Sequence, residues 1–241
     1  MRLLPLASGS QGNATLVEFG DTRLLVDAGL SERELARRLH AVGVEPRRID
    51  YLLVSHEHQD HARGVERFSR RHGVPVVCSA ATLEALDLSP QHLADWVPLP
   101  EAAPLGLGPV RVEAFPVPHD AARPVGFVLR GAGLRVGIVT DLGHATTLVL
   151  ERLRGCELLM VEANHDDRLL QEGPYPWHLK QRVGGRFGHL SNDETAALLR
   201  QVAAEPCRAV VLAHLSEQNN LPALARQAAA AALADAGHRR V

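Results

Sequence analysis

The sequence contains little cysteine: Cys78, Cys156 and Cys207 are the only three among 241 residues. They are far apart and odd in number, and each lies in or beside an apolar stretch. Disulfide frameworks and structural zinc sites use cysteines at short, paired spacings, which this chain lacks. We therefore predict three buried thiols that behave as small apolar residues in a reducing cytoplasm.

Long apolar runs and an excess of charge are also missing. The segment Met1 to Ala7 is too short for the central region of a signal peptide, and no stretch approaches the roughly 18 apolar residues of a membrane span. The formal net charge is -2, and Lys180 is the only lysine. No global field would draw this chain onto nucleic acid or a membrane, so we expect a cytoplasmic protein without a membrane partner. Any polyanion must bind in a local groove.

Neither a repeat of fixed period nor a low-complexity linker interrupts the chain. Its 241 residues, 46% of them apolar, are enough for one full core, and we predict a single domain over residues 1–241. Short apolar runs bounded by Gly, Pro or Asp alternate with segments of helical period. This mixture favours layered sheets flanked by helices over a pure sandwich or a doubly wound sheet.

The predicted elements follow from these periodicities. The strands are Ala14 to Phe19, Arg23 to Val26, Tyr51 to Val54, Val74 to Cys78, Val110 to Phe115, Gly126 to Leu129, Arg135 to Val139, Leu158 to Glu162 and Ala209 to Ala213. The helices are Glu32 to Val42, Arg63 to His72, Ala80 to Ala85, Thr146 to Leu153, Asp193 to Ala204 and Pro222 to Ala236. Two helices begin with a predicted capping box, Ser31 with Glu34 and Ser191 with Glu194. Residues 166–188 are predicted to form an irregular, substrate-facing loop.

The densest group of potential metal ligands directly follows the predicted strand Tyr51 to Val54. Within six residues lie four candidates: His56, His58, Asp60 and His61. Three imidazoles and a carboxylate, without a thiolate, suit a catalytic metal better than a closed structural zinc site. The alternative is a solvated turn with incidental histidines, and the His-x-His-x-Asp-His spacing argues against it.

Three further candidate ligands, His119, Asp141 and His214, each lie just past another predicted strand. Rigid scaffolds present functional groups in this way. Taken singly, His119 could be an ordinary structural histidine and Asp141 a cap or turn residue. The same feature at four strand ends favours a common metal site. Seven nitrogen and oxygen ligands exceed one tetrahedral shell, which predicts two divalent ions per chain.

These motifs resemble the metallo-β-lactamase superfamily over nearly the whole chain. The resemblance implies an α/β (α+β) fold of four layers, αββα, with two mixed sheets sandwiched between helices. It also implies two ligand sets, bridged by Asp141: His56, His58 and His119 for one ion, and Asp60, His61 and His214 for the other. The ions would be zinc or manganese.

The same resemblance implies roles for two positions, Asp27 and His58. Asp27, in Leu-Leu-Val-Asp-Ala-Gly, matches an aspartate that would orient the histidine loop from outside the metal shell, although a turn aspartate is the alternative. A redox di-iron branch of the superfamily carries Glu where this chain has His58. Hydrolysis is therefore favoured over oxygen chemistry.

Five separated segments resemble the YycJ (WalJ) branch of this superfamily: Leu6 to Ala14, Glu162 to Asp166, Tyr175 to Trp177, Gly188 to Asn192 and His214 to Asn220. That branch is similar to phosphodiesterases such as the tRNA 3′-processing and phosphonate-pathway enzymes. It implies a nuclease that cleaves DNA or RNA from a 5′ end with a hydroxide activated by two metal ions. Asp60 would orient or deprotonate this nucleophile, and His189 would stabilise the phosphate or protonate the leaving oxygen.

Several residues are candidate substrate contacts. Ser10 and Asn13 lie in a small-residue loop able to approach an anion, although a plain turn is the alternative. His189 precedes the helix capped by Ser191, where free amides favour a phosphate, or it is a structural histidine. His165 is a possible contact to substrate or to the metal ligands, or it is structural.

A second group of candidate contacts interleaves the aromatics Tyr175 and Trp177 with the cations Lys180, Arg182 and Arg186. This pattern suits phosphate contacts and base stacking. A solvated loop with docked aromatics is the alternative, because two acidic residues dilute the charge.

Two other functions are compatible with parts of this pattern. A thioester or lactone hydrolase would use the same metal core on a neutral carbonyl and would not need Arg182 or Arg186. A non-catalytic binding module would normally have lost metal ligands, and here none is missing.

Overall fold

A computed structural model describes residues 1–204 and 206–237. The chain divides into two compact units, each with its own hydrophobic core. The first unit comprises Met1–Ala114 and Ala121–Pro124, and the second comprises Phe115–Asp120 and Val125–Val241. The single domain over residues 1–241 stays a prediction.

The first unit begins with an antiparallel meander and continues with alternating helices and strands. Its elements in chain order are β1 (Arg2–Ala7), β2 (Ala14–Phe19), β3 (Thr22–Val26), α1 (Glu32–Ala41), β4 (Tyr51–Leu53), α2 (Gln59–Ala62), α3 (Val65–His72), β5 (Val76–Cys78), α4 (Ala80–Ala85), β6 (Trp96–Pro98), β7 (Leu105–Leu107) and most of β8 (Val110–Pro116). Strands β1 to β6 form one six-stranded sheet in sequential order, antiparallel up to β3 and parallel from β3 to β6.

The second unit contains the remaining four strands and five helices of the described residues. In chain order they are β9 (Val125–Gly131), β10 (Leu134–Val139), α5 (Thr147–Leu153), β11 (Leu158–Glu162), α6 (Asp167–Glu172), α7 (Trp177–Val183), α8 (Asn192–Val202), β12 (Ala209–Ala213) and α9 (Pro222–Asp235). The second six-stranded sheet has the order β12-β11-β10-β9-β8-β7. The pairs β10/β11 and β11/β12 are parallel, whereas β9/β10 and β7/β8 are antiparallel.

Apolar periodicity explains how these elements pack. Leu35 and Leu39 lie one turn apart on α1 and are both completely buried, as expected for the core face of an amphipathic helix. The parallel strands β10 and β11 are nearly continuous apolar runs, as expected for strands covered on both faces. The two mixed sheets with helices confirm the predicted fold class.

Three strands were absent from the sequence prediction: β1, β6 and β7. All three are edge strands of their sheets. Edge strands tolerate residues that disrupt a central ladder, such as Pro5 in β1 and Gly106 in β7. Their apolar pattern is correspondingly weak, which is why periodicity did not reveal them.

The predicted irregular loop 166–188 is wrong, because it contains α6 and α7. Asp166 caps α6, since its side chain accepts a hydrogen bond from the Leu169 amide at 3.0 Å. Helix α7 buries none of its residues, so it shows no apolar stripe from which to predict it. The segment between Glu172 and Trp177 and the turn after Val183 remain irregular.

Of the two predicted capping boxes, only one forms. Ser191 and Glu194 exchange both hydrogen bonds at the start of α8. Ser31 accepts from the Glu34 amide, but the Glu34 carboxylate pairs with Arg37 and Arg38 instead of turning back. The second box is therefore only half formed.

The three cysteines are buried and reduced, as predicted. Burial raises the pKa of the Cys78 and Cys156 thiols to about 11, so both remain protonated near neutrality. Within the part of the chain that the structure describes, every helix is too short or too polar to cross a bilayer.

Candidate metal centre

The histidine motif of the first unit occupies the turn after β4 and the short helix α2. The ring centroid of His56 lies 4.7 Å from that of His58 and 4.3 Å from that of His61. His56 and His61 are buried, whereas His58 and Asp60 are partly exposed. The turn thus brings together three imidazoles that are separated by only a few residues in the sequence.

Asp27 supports this turn from the end of β3. Its carboxylate accepts hydrogen bonds from the Ser55 amide at 2.8 Å and the Ser55 hydroxyl at 2.9 Å. Oδ2 of Asp27 also lies 2.8 Å from Nδ1 of His61. A carboxylate at Nδ1 sets the tautomer of the imidazole and leaves Nε2 as the nitrogen suited to a metal ion.

Asn13 and Gly29 hold α2 from the other side. The Asn13 amide donates to the Asp60 carbonyl at 2.7 Å, and its side-chain Nδ2 lies 3.3 Å from Asp60 Oδ2 and 2.9 Å from His61 Nε2. A Cβ atom on Gly29 would lie 1.6 Å from the Asp60 carbonyl oxygen, so only glycine fits. Asn13, predicted as a substrate contact, is thus buried against the ligand motif, while Ser10 is exposed.

In the second unit, three parallel strands end in acidic or imidazole groups at one edge of the sheet. Asp141 follows β10, Glu162 is the last residue of β11, and His214 directly follows β12. Because β10, β11 and β12 are parallel, their carboxyl ends meet at the same edge. Potential ligand atoms of these three residues and of His189 all lie within 4.8 Å of one another.

Glu162 is the organising group of this edge. Its Oε1 lies 2.8 Å from Nδ1 of both His189 and His214, and its Oε2 accepts from the Leu142 amide at 2.9 Å and the Leu190 amide at 3.3 Å. Four donors therefore surround one fully buried carboxylate. This arrangement fixes both imidazoles through Nδ1 and presents Nε2 as their reactive nitrogen.

The electrostatics of the edge follow from this packing. Burial opposes ionisation of Glu162, but the charges and hydrogen bonds of His189 and His214 outweigh it and lower the pKa of Glu162 to about 2. Burial likewise opposes protonation of His189, yet Glu162 and Asp141 together raise the pKa of His189. At His119 burial prevails over the nearby Asp141 and lowers the pKa. The His189 imidazole is thus disposed to carry a proton, and the His119 imidazole is disposed to be neutral.

His119 reaches the same edge from the segment after β8. Its Nδ1 lies 3.1 Å from the Gly188 carbonyl oxygen, and its Nε2 lies 3.7 Å from Asp141 Oδ1. Asp141 Oδ1 is also 3.6 Å from Nδ1 of both His189 and His214. Asp141 therefore lies within 3.6 to 3.7 Å of three imidazoles of the second unit.

The backbone is strained at three of the predicted site residues. Asp27, Asp141 and His214 have φ values of 63°, 55° and 54°, in the left-handed region that non-glycine residues seldom adopt. Each lies at the turn after a strand. Strain of this kind persists where the surrounding structure holds it, and it is typical of functional sites.

Most of the other residues predicted to contact substrate bind to groups within the protein. Ser191 is buried in its capping box, and His165 is buried with its Nε2 3.6 Å from Asp167 Oδ1. Arg182 pairs with Asp120 at 2.7 Å, and the Lys180 ammonium donates to a backbone carbonyl. Among the described residues, the Arg186 side chain has no ion pair, and it is exposed.

Glu162 is not among the site residues predicted from the sequence. It is the only carboxylate that ends a strand at the same edge as Asp141 among the described residues, and it opens the segment Glu162 to Asp166. A carboxylate at the end of an otherwise apolar strand is a signal of the same kind as His119, Asp141 and His214. Applying that rule to β11 would have identified it.

Comparisons with known proteins agree with this geometry. A family model described as "Beta-lactamase superfamily domain" matches residues 22–215. The chain is 32% identical over 238 residues to Exodeoxyribonuclease YycJ of Bacillus anthracis, covering 96% of this chain and 89% of that protein. It is 31% identical over 240 residues to Exodeoxyribonuclease WalJ of Streptococcus pneumoniae, covering 96% and 87%.

A solved structure gives the same result for the backbone. The metallo-β-lactamase fold protein YhfI from Bacillus subtilis matches with a TM-score of 0.77, covering 95% of this chain and 92% of that one. The two sequences are 17% identical, so this likeness concerns the fold.

Proposed function

Because this chain belongs to the metallo-β-lactamase superfamily, we propose that it is a metal-dependent exodeoxyribonuclease. Its relatives YycJ and WalJ are exodeoxyribonucleases by name and match nearly the whole chain. DNA is accordingly the proposed substrate, and the proposed direction of digestion is from the 5′ end. The location proposed for this activity is the cytoplasm.

The observation that carries the proposal is the buried Glu162 with His189 and His214 on one of its oxygens. Paired carboxylate–imidazole contacts of this kind orient ligands in metal sites. The donor set fits divalent ions, because it combines imidazole nitrogens with carboxylate oxygens and contains no thiolate. When bound, the ions would activate water and neutralise charge on the scissile phosphate.

The proposed ligands are those that the sequence predicts, and zinc or manganese suits them. We expect two ions per chain: one held by His56, His58 and His119, the other by Asp60, His61 and His214, with Asp141 shared. Asp27 and Asn13 would position His61 and Asp60 through the hydrogen bonds described above.

The chain's own residues would handle the protons of hydrolysis. A P–O bond forms to the water oxygen, the bond to the departing nucleotide oxygen breaks, and that oxygen takes up a proton. His189 would donate this proton from Nε2, because Glu162 holds its Nδ1 and stabilises the protonated ring. Asp60 would accept the proton that the water loses.

A direct test uses purified protein loaded with Zn²⁺ or Mn²⁺ and DNA labelled at either end. Linear DNA is expected to lose its 5′ label first, whereas covalently closed single-stranded circles of the same sequence should remain intact. Chelation should abolish digestion. Cleavage of thioesters or lactones without any digestion of DNA would overturn the proposal.

Replacing His189 with alanine should separate catalysis from metal binding. Turnover on DNA is expected to fall by roughly 10² to 10⁴ with little change in metal content, since a positioned general acid contributes about this factor. Turnover on a nitrophenyl phosphodiester, whose leaving group needs no proton, should fall much less. His40→Ala, at an exposed position in the last turn of α1, is the matched control. Loss of metal would instead place His189 among the ligands.

Reversing the charge of Arg186 should weaken DNA binding selectively. Arg186→Glu is expected to raise KM for DNA about fivefold and to reduce the salt dependence of binding by roughly one phosphate contact. Cleavage of a nitrophenyl diester should not change. Arg186 is a cleaner choice than Arg182, whose reversal would also repel Asp120.

Arg208→Glu provides the control for this experiment. Arg208 is exposed and precedes the amino end of β12, opposite to the strand end that carries His214. An equal rise in KM for DNA in both variants would mean that only net charge matters. Arg186 would then not belong to the binding groove.

A further inference from the structure

The second unit carries an exposed aromatic ring, Phe187, that neither its core nor the reaction described above uses. The residue is 61% exposed, and the hydrophobic core of this unit does not include it. Among the described residues it makes no contact with another aromatic ring. A single exposed apolar ring is ordinary on a protein surface, so the position and the neighbours of Phe187 decide whether it contacts a ligand.

The loop that carries this ring is held firmly by its backbone. Within the loop, the Gly188 amide donates to the Gly185 carbonyl at 2.9 Å, and the His189 amide donates to Val183 at 2.8 Å. From outside the loop, His144 Nδ1 lies 3.0 Å from the Arg186 carbonyl oxygen. The exposure of Phe187 is therefore a property of an ordered turn.

Two glycines show how closely the surrounding chain approaches this turn. A Cβ atom on Gly143 would lie 2.2 Å from the Arg186 carbonyl oxygen and 2.7 Å from the Phe187 amide nitrogen. A Cβ atom on Gly188 would lie 2.1 Å from the Arg182 carbonyl oxygen. Since side chains are excluded at both positions, the turn is seated against its neighbours and presents Phe187 from a fixed place.

This place is next to the candidate metal centre. The following residue, Gly188, accepts a hydrogen bond from the ligand candidate His119, and His189 comes one residue later. Two residues span at most about 7 Å of backbone, so the backbone of Phe187 lies within about that distance of the backbone of His189, the proposed proton donor.

The charges beside the ring indicate what covers it. Arg186 precedes Phe187 directly and is exposed, whereas Arg182, five residues before Phe187, is exposed but paired with Asp120. A second exposed aromatic, Trp177, is 64% exposed at the start of α7. An apolar protein surface would not need flanking cations, whereas a polynucleotide presents both phosphates and flat bases.

We propose that Phe187 is a base-stacking site that takes an unpaired base of the nucleotide at or beside the scissile phosphate. This inference rests on the proposed nuclease function and adds to it a structural requirement of the substrate. A ring of this kind stacks on any base, so it selects unpaired ends rather than a sequence. The enzyme should accordingly prefer DNA whose terminal nucleotides are unpaired over blunt duplex ends.

The test combines variants of Phe187 with DNA that lacks single bases. Kinetics are measured for wild type, Phe187→Ala and Phe187→Trp on single-stranded oligonucleotides that carry an abasic site at the first, second or third nucleotide, or none. On intact DNA, Phe187→Ala should raise KM roughly tenfold, within the range of one base stacked on an aromatic ring, and Phe187→Trp should restore it. On the substrate that lacks the stacked base, wild type and Phe187→Ala should be equal.

Leu221→Ala is the matched control, because Leu221 is a similarly exposed apolar residue, at 55%, in the same unit. It should leave KM unchanged on every substrate. Base stacking is overturned if Phe187→Ala raises KM by the same factor for the intact oligonucleotide and for all three abasic ones. It is also overturned if Phe187→Ala leaves KM unchanged for every substrate. If wild type digests no DNA at all, the nuclease function fails first, and the two failures are thereby distinguished.

Discussion

Replacing Asp141 with asparagine is expected to remove most of the bound metal and nearly all of the activity. Asp141 lies 3.6 to 3.7 Å from three imidazoles of the second unit, and it is the proposed shared ligand. An amide lacks the charge needed to hold two cations. We expect metal content to fall from about two ions to below one per chain, and hydrolysis to fall by on the order of 10³ or more.

Asparagine is chosen because the backbone at Asp141 is left-handed, with a φ of 55°, which asparagine tolerates and alanine does not. Asp87→Asn is the matched control, since Asp87 has a φ of 53° and is not among the candidate ligands. Elemental analysis and nitrophenyl diester cleavage measure the outcome. Retention of two ions and full activity in Asp141→Asn would remove Asp141 from the centre.

Replacing Glu162 with glutamine is expected to damage metal binding, turnover and stability together. Each carboxylate oxygen of Glu162 accepts two N–H groups, so the amide nitrogen of glutamine must face two donors in either orientation. Metal affinity should fall by about 10- to 100-fold. Unfolding free energy should fall by about 3 to 5 kcal/mol, the usual cost of breaking a buried charge pair.

The control for this variant lies on the same strand. Glu157→Gln alters a carboxylate just before β11 that also accepts a backbone N–H, from Arg135 at 2.7 Å, at the opposite end of that strand. Urea unfolding, elemental analysis and turnover at saturating metal should be compared. Excess metal should restore the metal content of the Glu162→Gln variant but not its turnover, because His189 also loses its carboxylate partner. Behaviour equal to that of Glu157→Gln would show that Glu162 only supports the fold.

The sequence could predict those features of the fold and the site that residues close together in the chain specify. The ligand candidates were recognisable because each lies within a few residues of an apolar strand, and both features are local. Strands β1, β6 and β7 and helix α7 were missed because few of their residues are fully buried, so their residues carry no strong periodicity. The capping box at Ser31 failed because Arg37 and Arg38 compete for Glu34.

The roles of Glu162 and Asn13, in contrast, were decided by tertiary structure. Glu162 meets His189 and His214, which are 27 and 52 residues away along the chain, and Asn13 meets Asp60 across 47 residues. No local pattern encodes such pairs.

The sequence by itself determined that a metal site forms, because the types of ligand and their positions after strands are local features, and its resemblance to the metallo-β-lactamase superfamily implied hydrolysis. The folded chain decided which groups hold those ligands and which cations remain available. Arg182 is balanced by Asp120, 62 residues away, while Arg186 and Phe187 are left exposed on a turn. The physical reason is that hydrogen bonds and ion pairs between distant segments exist only once the strands have brought them together.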